Sequence, residues 1–484
     1  MKQAILLIVI TLFFIKVNGQ TTSIPDANFE QALINLGLDT LPIDGSVLTA
    51  NIDTVTQLYF HMLSISDLTG IQDFTALEDL RCTVSQLTNL DVTQNTALLR
   101  LTLDYNQLTS LDVTQNTALT KLSCSNNQLT ALNVTQNTAL TYLRCFYNQL
   151  TSLDVTQNTA LIDFWCSNNQ LTSLDVTQNI ALPQLRCYSN QLTSLDVTQN
   201  TTLTYLNCAN NQLTNLNVSQ STTLNWVYCD SNQLTSLDVT QIPNLFTLAC
   251  GYNQLDSLDV TQNTALIGFE CSNNQLTNLD VTQNLNLAGL YCGNNQLTSI
   301  DITPNNTLTN LECSNNQLTS LDVSQNHSLY KLLCDNNQLN CLNAKNGNNL
   351  NFSEFKATGN PNLSCIDVDN TGWSTVNWTN IDAGTSFSTN CNNACSPVGI
   401  SENGFVSEFS LYPNPVFNSL TIEFEKEEQF INLSVVNIHG QQVLSNKYEN
   451  TDAVQLNIED FSTGIYFAKI ETNKSRKTVK FIKK

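Results

Sequence analysis

A cysteine returns every 21 residues through most of this chain. It stands at 124, 145, 166, 187, 208, 229, 250, 271, 292, 313 and 334, and Cys82 is in the same register two periods before Cys124. A fixed period of this length limits what the chain can build. Each unit is one supersecondary element that cannot bury its own apolar face, so units must stack on their neighbours. One unit reads LTYLRCFYNQLTSLDVTQNTA, Leu140 to Ala160. Units start at Leu77 and recur to Leu329, a longer one begins at Val55 and a degenerate one follows Leu350.

Within a unit the period falls to two. In LRCF, Leu143 and Cys145 alternate with Arg144 and Phe146, so one pair points inward and the other outward from a strand. Parallel strands from successive units would then stack about 4.8 Å apart. Asn148 and its equivalents, from Asn106 to Asn337, form a column of twelve. A buried amide there can satisfy backbone groups at a corner, and stacked amides can bond to one another. Leu150, Leu153 and Val155 fill the other side of the core. The return segment TQNTA is too short for a useful α-helix, which predicts turns or 3₁₀ geometry.

The spacing LxxLxLxxNxL, with Cys in place of the third Leu, resembles the leucine-rich repeat over residues 55–369, in an internalin-like form. The unit at Leu101–Leu108 restores that leucine as Leu103. The resemblance implies an α/β solenoid, mostly β, curved, with a parallel concave sheet. Residues 20–54 read as an N-terminal cap. Asp26 or Asn28 can start a helix running to Leu36, with Phe29, Leu33 and Leu36 as its apolar stripe.

The periodic cysteines point into that core, where Cys acts as a small hydrophobe. Parallel side chains on neighbouring strands keep Cβ atoms about 4.8 Å apart, against the ~3.8 Å that a disulfide prefers. A ladder of reduced thiols is therefore expected. Cys341, Cys365, Cys391 and Cys395 leave the register. Four off-register cysteines in an exported chain suggest two disulfides closing a cap at 370–404, with Cys341 paired to Cys365 or Cys391.

Residues 1–19 read as a signal peptide: Lys2, then an apolar run from Ala4 to Ile15, then Val17 and Gly19 at a cleavage site. No later run is apolar enough to span a bilayer, so the expected product is not transmembrane. Residues 405–484 change pattern to alternating strands and read as a small antiparallel β-sandwich. Here LYPNP (Leu411–Pro415), NIHG (Asn437–Gly440), FSTGIYFAKI (Phe461–Ile470) and a basic KTVKFIKK end resemble the C-terminal sorting domain of the type IX secretion system of Bacteroidota. That resemblance implies contact with the secretion machinery and a product that is secreted or held on the outer-membrane exterior. In that family the domain is usually cleaved on release or attachment.

Residues 20–403 hold 8 Lys/Arg against 31 Asp/Glu, which argues against a nucleic-acid partner. His61, His327 and His439 fall in different units with no nucleophile beside them. No nucleophile elbow, phosphate loop or zinc spacing is present. A regular solenoid without long insertions offers no obvious pocket for a carboxylate pair, so the expectation is a non-enzyme without a cofactor. One column, from Asp91 and Asp112 through Asp154, Asp175 and Asp196 to Asp322, bears on calcium. Each Asp can accept from its following Thr in an Asx-type turn, or the column can hold calcium between rungs. The turn reading is preferred because the glycine-rich calcium repeat is absent.

Binding residues should lie where the repeat leaves the residue free. The outward strand positions, and the corner before the column Asn, vary freely and gather aromatics with two arginines among them: Tyr142, Arg144, Phe146, Trp165, Arg186, Tyr188, Tyr205, Trp226, Tyr228 and Tyr291. Tyr147 and Tyr252 join them at the corner. Trp, Tyr and Arg are the residue types enriched in interface hot spots, and flat rings also suit sugars. Cross-strand packing is the competing explanation for outward aromatics. The expected role is non-catalytic binding or adhesion to an extracellular protein or polysaccharide, with a calcium-stiffened surface spacer as the alternative.

Overall fold

The computed structural model describes residues 19–391, 409–412, 416–437, 441–472 and 476–483. The signal-peptide segment 1–18, Cys395, His439, Pro413–Pro415 of LYPNP and the end of NIHG lie outside the described residues. The chain divides into two units between Pro397 and Val398.

The first unit is a solenoid. Fifteen parallel strands, from Gln57–His61 to Glu354–Lys356, form one sheet in which each rung pairs with the next. Most of these strands are three residues long, and the register is the 21-residue period itself: Leu206 pairs with Leu185 on one side and Val227 on the other. Leu140, Leu143, Cys145, Leu150 and Val155 are fully buried, and their equivalents repeat this along one continuous core. Among the described residues twelve cysteines are free and buried. Where the ladder lacks a thiol, Leu103 is equally buried.

Two asparagine columns tie the rungs together. Asn190 donates from Nδ2 to the carbonyls of Cys166 and Cys187, both at 3.1 Å, and its Oδ1 accepts from the Leu171 N–H at 3.0 Å. The amides of this column thus bond to backbone on two rungs instead of to one another. The second column lies in the return segment and is fully buried. Asn179 donates to the carbonyls of Val155 (3.0 Å) and Asn158 (2.9 Å). Sequence reasoning took this Asn only as part of a turn. Its recurrence in VTQN was the available signal. The return segments are single turns closed by bonds such as Asn179 N–H to Val176 O (2.9 Å).

Opposite the long sheet, the LDV segments become true strands only near the end. Ser320–Asp322, Cys341–Asn343, Cys365–Asp367 and Ser386–Ser388 form a parallel four-stranded sheet. In the Asp column, Asp196 Oδ1 accepts from the N–H (2.9 Å) and hydroxyl (2.7 Å) of Thr198. These bonds hold its carboxyl below the usual range. The same pair recurs at Asp112, Asp154 and Asp238. The column is made of Asx turns.

Both ends of the core are closed. Helix Ala27–Asn35 starts on Asp26, whose Oδ1 accepts from the N–H groups of Asn28 and Phe29. Its other oxygen accepts from Ser66 and Asp67, joining the helix to the solenoid. Phe29 and Leu33 are buried, with Phe29 edge-on to Phe60 at 5.6 Å. Leu36 departs from expectation. It is the helix C-cap and 53% exposed, because the helix ends before its side chain can join the stripe. At the far end, Trp378 stacks on Phe355 at 3.9 Å after helix Thr371–Asn377.

The disulfide pairing also departs from expectation. Cys365 bonds to Cys391, with Cα atoms 5.8 Å apart. Cys341 is disulfide-bonded as well, and therefore to neither of the two partners expected for it. The reason is the one that keeps the ladder reduced. Strand Cys341–Asn343 lies parallel to Cys365–Asp367, with Leu342 opposite Ile366, so the two cysteines project side by side. Cys391, three residues past strand Ser386–Ser388, instead reaches Cys365, and its N–H donates to Asp367 Oδ1 (2.9 Å).

The second unit holds two antiparallel sheets. One orders Phe409–Tyr412, Ser419–Glu428 and Thr451–Asn457. The other orders Gln442–Tyr448, Ile431–Asn437, Gly464–Thr472 and Arg476–Lys483. Leu420, Ile422, Leu433, Val435, Leu456, Ile470 and Phe481 make their shared core.

Candidate functional site

Each three-residue strand of the long sheet buries its middle residue and turns its first and third outward. Consecutive rungs therefore place outward residues in straight columns. Arg144, Trp165, Arg186, Asn207 and Tyr228 are direct neighbours in one column, and Gln184, Tyr205 and Trp226 in the next. The corner after each strand has positive φ, as at Tyr147 (53°) and Asn168 (54°). Tyr105, Tyr147 and Tyr252 occupy this corner and are exposed.

The structure draws most of the predicted residues into one run of contacts. The Arg144 guanidinium pairs with Asp163 at 2.8 Å and lies 4.5 Å from the Tyr142 ring and 5.4 Å from Trp165. Arg186 lies 5.1 Å from Trp165 and 4.7 Å from Tyr205. Phe146 stacks on Trp165 at 4.2 Å, and Tyr205 meets Tyr228 at 5.6 Å. The Trp165 indole N–H donates to the Ser167 hydroxyl. Lys121, 5.9 Å from Tyr142, opens the run. Trp226 is 36% exposed and sits edge-on to Phe246 at 5.9 Å. Phe246 was missed in the sequence because it stands one residue before its strand, where the repeat usually has a small or aliphatic residue.

Two predicted residues stand apart. Tyr188 is half-buried at the position after Cys187. Tyr291 lies three strands beyond Tyr228, and its hydroxyl accepts from Asn310 Nδ2 at 3.3 Å. Thr247, Ala249, Gly268, Glu270 and Gly289 occupy the outward strand positions between. The carboxyls near this stretch are half-buried, and burial pushes those of Asp230 and Glu270 upward. Asp104, at the other end, is raised by burial while the Ser123 hydroxyl and Ser125 N–H bond to it.

Nothing in this face has the form of a catalytic constellation. His61 bonds to Thr83 (2.9 Å) and His327 to the Asn346 carbonyl (2.7 Å), far apart in the chain. The periodic thiols are held in the protonated form by burial, to about 12 at Cys145 and Cys187. Among the described residues no group of three His, Cys, Asp or Glu side chains is placed to hold a metal ion.

A stack of short parallel strands with a buried thiol or leucine on every rung defines a leucine-rich-repeat solenoid. Its outward strand face is the surface that varies. The functional domain of InlJ from Listeria monocytogenes, described as including a cysteine ladder, is similar at 31% identity. The match covers 96% of this chain and 99% of that one, with a TM-score of 0.60. An internalin, InlF, also from Listeria monocytogenes, shares the fold at 22% identity, covering 64% of this chain and 95% of that one, with a TM-score of 0.56. The chain belongs to the internalin-like leucine-rich-repeat proteins. Residues 410–484 match the secretion system C-terminal sorting domain, the type IX form anticipated from FSTGIYFAKI and the basic end. No curated protein sequence matches the chain. The sorting domain marks an exported protein, secreted or at the outer-membrane surface. Among the described residues no helix is long and apolar enough to cross a membrane.

Proposed function

We propose that the protein is a non-catalytic recognition or adhesion protein. It is exported by the type IX route and binds an extracellular partner through the outward face of the long sheet. One observation carries this reading. The positions that the repeat leaves free hold a run of adjoining aromatic and cationic groups from Lys121 to Tyr228, on strands that are otherwise nearly identical. Aromatic and Arg side chains are the usual energetic centres of interfaces. Each rung also holds these groups on a rigid strand, so little ordering entropy is lost on binding. The contacts among the rings support the strand packing as well, but Trp226, Tyr147 and Tyr252 remain exposed.

The test is binding of the exported chain to an array of extracellular proteins and glycans, beside the triple variant Trp165→Ala/Trp226→Ala/Tyr228→Ala. The reading expects a partner whose binding falls at least ~10-fold in a variant that keeps its circular dichroism. A partner bound equally well by both would move the site elsewhere. The absence of any partner would favour a surface spacer.

A further inference from the structure

The basic residues of the solenoid are not scattered. From residue 20 to residue 330 the chain has five: Arg81, Arg100, Lys121, Arg144 and Arg186. All five occupy outward positions of the long sheet, one on each of five of the six successive strands from Asp79–Thr83 to Gln184–Arg186. Residues 20–403 hold 31 acidic residues, and the whole chain carries a net charge of −22. A surface with that excess would repel an acidic partner everywhere except along this strip.

Part of the strip is neutralised from within and part is not. Asp79 pairs with Arg81 at 2.8 Å and lies 3.9 Å from Arg100. Asp163 pairs with Arg144. Asp104 is engaged by Ser123 and Ser125. Lys121 and Arg186 form no ion pair among the described residues. Rings hold them instead: Tyr142 beside Lys121, Trp165 and Tyr205 beside Arg186. A cation seated on rings keeps its N–H donors for another acceptor. By contrast, Lys331 and Lys356, on later strands of the same sheet, are paired with Glu312 (2.6 Å) and Asp335 (3.0 Å).

We infer that the strip from Arg100 to Tyr205 selects an acidic polypeptide segment of the partner protein, laid along the stacking axis of the solenoid. This rests on the outward face being the binding surface. The rings decide between an acidic protein and an acidic sugar polymer. Sugar recognition by stacking needs an uncovered ring face, yet Trp165 carries Phe146, Arg144 and Arg186, and Tyr142 carries Lys121 and Arg144. What the strip offers is cations in a row with half-buried ring surface between them. That matches carboxylate side chains alternating with apolar ones.

The test uses the full exported chain with labelled poly-L-glutamate as probe and polygalacturonate as the sugar counterpart, read by fluorescence anisotropy at low and high salt. The expected result is salt-sensitive poly-L-glutamate binding that falls at least ~10-fold in Lys121→Gln/Arg186→Gln. Lys331→Gln/Lys356→Gln, which removes the same charge outside the strip, should leave it unchanged. Circular dichroism checks the fold of both variants. No poly-L-glutamate binding at low salt, or equal loss in both variants, overturns the inference. So does preference for polygalacturonate, which would put a polysaccharide in its place. An array partner lost in the Trp165/Trp226/Tyr228 variant but indifferent to salt and to Lys121→Gln/Arg186→Gln would keep the face and reject the acidic partner. Poly-L-glutamate binding that depends on Lys121 and Arg186, beside an array partner indifferent to the ring substitutions, would keep the acidic-segment inference and reject the ring run as that partner's site.

Discussion

Raising the pH should loosen the solenoid through its own thiols. Cys145 and Cys187 are fully buried, and burial lifts each from an ordinary value of 9.0 to about 12. The folded pKa is above the unfolded one. The stabilisation from burying a neutral thiol is therefore complete below about pH 9 and is lost as pH climbs toward 12. In that window each thiol removes about 1.4 kcal/mol of stability per pH unit, because the unfolded chain has released a proton that the folded chain keeps. Over the full shift this approaches about 4 kcal/mol per thiol. The variant Cys145→Ala/Cys187→Ala deletes two such protons, from the rungs on either side of Cys166. It should be less stable than the natural chain at pH 7, from the two small cavities, but lose stability less steeply above pH 9, by about 2.7 kcal/mol per unit. Urea titrations followed by circular dichroism under reductant, at half-unit steps across that window, measure the slope. Parallel slopes for the two proteins would refute the buried-thiol account. So would rapid reaction of the folded protein with Ellman's reagent at neutral pH, since an inaccessible protonated thiol is a poor nucleophile.

Two further substitutions probe the fasteners of the fold. Asn190→Ala removes four bonds and leaves the buried Leu171 N–H without an acceptor, so urea unfolding should show a loss of about 2–4 kcal/mol; a loss under about 1 kcal/mol would mean that the column is decorative. Cys365→Ser/Cys391→Ser opens a loop with a sequence separation of 26 and should cost the C-terminal cap about 3.5 kcal/mol on the loop-entropy estimate. In a chain stabilised rung against rung, amide exchange should quicken first around helix Thr371–Asn377 and leave the central rungs unchanged; uniform acceleration along the solenoid would contradict nearest-neighbour stability.

Much of this molecule is legible in its residue order because a repeat reduces folding to one unit and its neighbour. The alternation in LRCF places Leu143 and Cys145 inward and Arg144 outward, and the period stacks every copy on the next. Asp26 announces its helix, and the pairing of Asp196 with Thr198 follows from two residues of local chain. These features depend on contacts that are close in sequence or repeated at a constant offset. The buried role of Asn179 was hidden because an Asn in TQNTA reads equally well as a turn residue; only stacking shows its Nδ2 reaching carbonyls of the rung before. The partner of Cys365 was hidden for a related reason, since a disulfide depends on where the chain leaves the register.

The candidate face divides in the same way. The residue order alone named the outward columns, and with them nearly every ring and guanidinium in the run from Tyr142 to Tyr228. Which groups are spent on one another was decided by the stacking of rungs. Arg144 is tied to Asp163 of the next strand, while Arg186 rests between Trp165 and Tyr205. Period and polarity assign a residue to a face by itself. Whether its charge remains available depends on side chains one rung away, about 4.8 Å off, and that distance exists only after the chain has wound upon itself.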